Sequence, residues 1–80
     1  MNITGTTLRY RDEEEHILRR LGWAATIHWK DLEEPIKQLL LKQAVMTSDR
    51  DPGPEPVQLE QNIKRFLEEY ARADQHAPLK

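Results

Sequence analysis

Apolar residues recur at helical spacing in three stretches of this chain, and polar or turn-forming residues separate them. In the first stretch Ile17, Leu21, Ala24, Ala25 and His28 share one side at about 100° per residue, with Leu18 at its edge. In the second, Leu32, Ile36, Leu39, Leu40 and Ala44 form one stripe, and Leu41 with Val45 makes a second i,i+4 pair elsewhere on the circumference. The third is the cleanest: Leu59, Ile63, Phe66, Leu67 and Tyr70, with Gln, Lys, Arg and Glu on the remaining positions. These patterns predict an all-α domain of three helices over about 13–28, 32–46 and 57–73. A helix apolar on two sides needs cover on both, so the second helix is expected at the centre.

Local signals set the boundaries. Asp12 suits an N-cap, Glu15 stands where a capping box needs it, and Glu13 and Glu14 add charge that the helix dipole favours. Asp31 and Glu34 repeat that pattern before the second helix, although Pro35 would sit better nearer its first position, so the cap is open to displacement by a residue or two. Residues 47–56, TSDRDPGPEP, hold three of the five prolines and read as a loop, with Pro56 suited to open the third helix. Residues 1–11 and 74–80 are expected to be flexible tails, with 12–73 as the domain. An extended portion near Thr7 to Tyr10 could lie over a helix.

Composition narrows the class. Eighty residues make one small domain, and the core of so short a chain rarely gives more than about 3–5 kcal/mol of stability, so further burial against a partner is expected to help. Twelve Lys and Arg against fourteen Asp and Glu give a net charge of −2, which provides no general attraction to nucleic acid or anionic lipid. No cysteine is present, which removes disulfides, thiolate metal sites and Cys nucleophiles together. No apolar run is long enough for a membrane span and the first residues lack signal-peptide order, so the expected compartment is the cytoplasm.

Candidate chemistry is sparse. Asp49, Asp51 and Glu60 match positions 1, 3 and 12 of a calcium-binding EF-hand loop, but Pro54 occupies the position that needs a glycine at positive φ. His16 and His28 are twelve residues apart, roughly 120° around a helix, and His76 is near the C-terminal end, so no metal constellation forms in the pattern. Glu13 to His16 point in different directions as consecutive residues, and Ser48 has no adjacent His. No phosphate-binding glycine loop is present. The reading is therefore a non-enzymatic protein with no metal, cofactor or small-molecule site indicated.

Two apolar pairs remain after the main stripes are used: Trp23 with Ile27, and Leu41 with Val45. Trp is enriched at binding hot spots, and Arg19 and Arg20 are placed to form a polar rim or a cation–π contact. Trp23, Ile27, Arg19, Arg20, Leu41 and Val45 are accordingly the candidate partner-binding residues. The competing reading covers Trp23 and Ile27 with the N-terminal residues. The expected partner is a protein, most simply a second copy in a homodimer. A small nucleic-acid-binding regulator is the alternative, resting on Arg9, Arg11, Arg19 and Arg20, with acids at 12–15 weighing against it.

Overall fold

In a computed structural model, which describes residues 3–71, the chain forms three α-helices: α1 (Glu15–Ile27), α2 (Glu34–Val45) and α3 (Pro56–Tyr70). Short 3-10 turns at Asp12–Glu14 and Trp29–Asp31 flank α1. Two-residue strands β1 (Thr6–Thr7) and β2 (Thr47–Ser48) pair in parallel, Thr6 beside Thr47 and Thr7 beside Ser48. The all-α class and the three helices agree with the periodicity. The last turn expected to 73 and the tail at 74–80 lie outside the described residues.

The ends shift for local reasons. The first box forms one residue early: Arg11 N–H donates to Glu14 Oε1 at 2.8 Å, and the Arg11 guanidinium reaches Glu14 Oε2 at 3.3 Å. The second cap moves two residues, to Glu33 in extended backbone, which leaves Pro35 inside the first turn, where its missing N–H costs nothing. Pro56 opens α3 as expected. In the loop, positive φ falls on Gly53 (+65°), and Asp51 Oδ1 accepts from the Gly53 N–H at 3.1 Å.

One expectation about packing changes. The helix that contacts both others is α3, not α2; α1 and α2 make no comparable contact with each other. The leading edge of the α3 stripe explains this, because Phe66 and Tyr70 meet Trp23 of α1 while Leu67 and Ala71 lie beside Leu41 of α2. Part of the segment before α1 is extended and bonded to the end of α2 and to β2. Thr6 N–H donates to Met46 O at 3.1 Å, Leu8 N–H to Ser48 O at 2.8 Å, and Gln43 Nε2 to Thr4 O at 2.8 Å. This arm ties down the start of the stretch expected as loop, and Arg50 Nη2 adds a bond to Tyr10 Oη at 3.1 Å. That bond is the main reason the Arg50 guanidinium holds its proton more tightly than usual.

Burial is thin. Among the described residues the buried apolar side chains are Leu41 and Ala71, at 6% and 4% exposure. The other buried residue is Thr26, whose hydroxyl donates back to Gly22 O at 2.7 Å and so satisfies itself within the helix.

Candidate interaction surface

On α1, Thr26 marks the inward side. Counting from it at 100° per residue, Ile17, Leu21 and Ala24 lie on the opposite side, which faces away from α3, and Ala25 lies at its edge. The main stripe read from the sequence is thus the outer face of the helix. Leu21 is 65% exposed, Ile17 49% and Leu18 39%, and both alanines are exposed. The physical reason is competition: Trp23 offers a larger apolar surface than any residue of the stripe and finds two aromatic partners on α3. Its ring centroid is 6.5 Å from Phe66 in an edge-on arrangement and 5.6 Å from Tyr70, and those two rings are 4.8 Å apart.

Four of the six candidate residues come together. Arg19, Arg20, Trp23 and Ile27 line one shallow depression of about 430 Å³, completed by His16 and Ala24. Arg20 Nη1 contacts His16 Nδ1, and Arg19 Nη1 lies 3.5 Å from Glu15 Oε2. Trp23 keeps 43% of its surface exposed and Ile27 is half-buried, so neither is sealed under the N-terminal arm, which runs instead beside the end of α2. Ala24 lines this depression and also belongs to the outer stripe, so the two adjoin on α1.

The other two candidates belong elsewhere. Leu41 is core, not surface: it closes the α2–α3 seam against Trp29, Leu67 and Ala71. It was singled out because α2 appeared to have spent its burial on the stripe through Ile36 and Leu40, yet those two are the exposed ones, each at 40%. Val45 is half-buried and lines a separate cleft of about 830 Å³ with Leu8, Pro54, Pro56 and Leu59. The residues that sequence reasoning missed as surface are Ile17, Leu18 and Leu21. The signal was present in α1 itself, which is apolar on both sides of its axis.

Electrostatics bear on the alternative partner. Arg11 faces Glu14 and Glu13, Arg19 faces Glu15, Arg50 lies 3.8 Å from Asp12 and Lys64 3.2 Å from Glu60. Each basic group so placed has its field offset nearby, which weakens any pull on phosphates. Among the described residues no three His, Asp or Glu side chains converge as a metal site, and no helix is long and apolar enough to cross a membrane. Comparison with protein-family models, curated proteins and solved structures finds no match to this chain.

Proposed function

We propose that this chain is a small non-enzymatic interaction module of the cytoplasm that works by docking another protein on the outer face of α1. A single observation supports the reading: an amphipathic helix whose apolar stripe, Ile17, Leu21, Ala24 and Ala25, is left in water. Water-facing apolar side chains are ordinary when scattered. An exposed apolar stripe repeating along one helix is the kind of surface that association covers. Arg19, Arg20 and His16 form the polar side of this band, beside the Trp23 and Ile27 depression. The nucleic-acid alternative ranks lower because two of its four arginines, Arg11 and Arg19, stand beside carboxylates.

The test is cross-linking in the native cell. A photoactivatable residue at position 21 should yield a protein adduct on irradiation, whereas the same residue at the exposed position of Lys42 on α2 should yield far less. Failure of position 21 to capture any protein would sink the reading.

A further inference from the structure

We infer that the protein docked on α1 is a second copy of this chain, paired antiparallel about a two-fold axis beside Leu21. The inference rests on the interaction-module reading and names its partner. The order of side chains along the outer stripe carries it. About a two-fold at Leu21, positions equally distant on either side meet across the axis. Ile17 then meets the partner's Ala25, and Leu18 meets the partner's Ala24. Large faces small on either side of the axis, and at the axis Leu21 meets the partner's Leu21, which lets the two helix surfaces interdigitate. The axis falls at Leu21, the most exposed large apolar side chain of α1, at 65%. Because a two-fold interface uses the same patch twice, this complementarity must lie within one helix, and here it does. A parallel pair would set Ile17 on Ile17 and leave alanine facing alanine, with a clash at one level and a gap at another.

Charge agrees with the same direction. Asp12, Glu13 and Glu14 precede α1, while His28 and Lys30 follow it. The antiparallel arrangement sets the acidic start of each helix beside the end of the other that carries His28 and Lys30, and it opposes the two helix dipoles favourably. Asp31 and Glu33 also lie at that end and Arg11 pairs with Glu13 and Glu14 at the other, so what the antiparallel direction gains is the separation of two acidic starts. A parallel pair would instead bring two acidic starts together. The band formed by Ile17, Leu18, Leu21, Ala24 and Ala25 with their polar flanks offers on the order of 600 Å² per copy, the lower end of what a specific dimer buries.

Sedimentation across a concentration series gives the oligomeric state. Native chain should dimerise, and Leu21→Lys should raise the dissociation constant by at least about 100-fold. The side chain is mostly in water already, so helicity of that variant should be unchanged. Direction is read by cysteine pairing, since the chain has no thiol of its own. Under oxidation, Leu21→Cys should form a disulfide-linked dimer. Ile17→Cys mixed with Ala25→Cys should cross-link, while Ile17→Cys alone should not. A chain that stays monomeric to about millimolar concentration, a dimer indifferent to Leu21→Lys, or Ile17→Cys linking to itself would each overturn the pairing. A photo-adduct at position 21 with a different protein would overturn it too and leave the module reading standing.

Discussion

The outer face of α1 and the seam between α2 and α3 are written in the same periodic language, yet only one is closed. At the seam, Leu41 and Ala71 lose nearly all contact with water because each helix supplies part of the other's cover. On α1, Leu21 and Ile17 repeat at the same spacing and stay exposed. Periodicity therefore identifies a face that needs covering. It does not say whether the cover comes from the same chain, and in so small a molecule there is too little chain to cover every such face.

Substituting alanine at matched leucines is the strongest way to break this contrast. Leu41→Ala should destabilise folding by about 2–4 kcal/mol, enough to remove most of the stability such a core provides. Leu21→Ala, measured by urea unfolding at a concentration too dilute for association, should change stability by less than about 0.5 kcal/mol. Equal losses at the two sites would mean that the outer face of α1 is covered after all, and the comparison would fail.

The same contrast explains what was legible beforehand. The helices were readable because each carries a period near 3.6 and a stop or start residue, as with Pro56 at the head of α3. The choice of buried side was not readable where a helix has two apolar sides. On α2 the longer stripe through Ile36 and Leu40 was outweighed by the shorter Leu41 and Val45 pair, since α3 presents Leu67 and Ala71 at the matching height. On α1 the pair containing Trp23 prevailed over the stripe for an analogous reason. The arm before α1 was legible only as an extended portion near Thr7 to Tyr10, because threonine-rich positions have no marked period; its order comes from backbone bonds to Met46 and Ser48. Trp23, Ile27, Arg19 and Arg20 line one depression because they are neighbours on one helix, while Leu41 and Val45 could be placed only with the tertiary packing known.

Trp23 stands on the border between the two regions and sharpens where one ends. It contacts Phe66 and Tyr70 but keeps 43% of its surface exposed. Trp23→Ala should therefore cost roughly 2 kcal/mol of folding stability, below the 3–5 kcal/mol typical of a wholly buried Trp. It should also collapse the near-ultraviolet circular dichroism that packed aromatic rings produce. Trp23→Phe should recover most of both. An effect on association alone, with folding untouched, would place Trp23 wholly on the docking side and dissolve its role as the link to α3.

A small effect of opposite sign is expected at Gly22, and its sign separates the closed region from the open one. A methyl group placed there meets nothing within 4 Å, so the folded chain has room for alanine. The backbone position is an ordinary helical one, with no positive φ to favour glycine. Gly22→Ala should then stabilise the dilute chain by about 0.5–1 kcal/mol, through lower conformational freedom of the unfolded state and better helix propensity. The bond from the Thr26 hydroxyl to Gly22 O is retained because it uses the backbone carbonyl. In the paired state Gly22 lies at the rim of the α1 contact, roughly 100° around the helix from Leu21, so the dissociation constant should move by less than about threefold. Thermal unfolding of the dilute protein checks the sign. A loss of stability at high dilution would show that the inner side of α1 is more tightly packed than the open space beside Gly22 implies, and the boundary between covered and uncovered faces would have to be redrawn through residue 22.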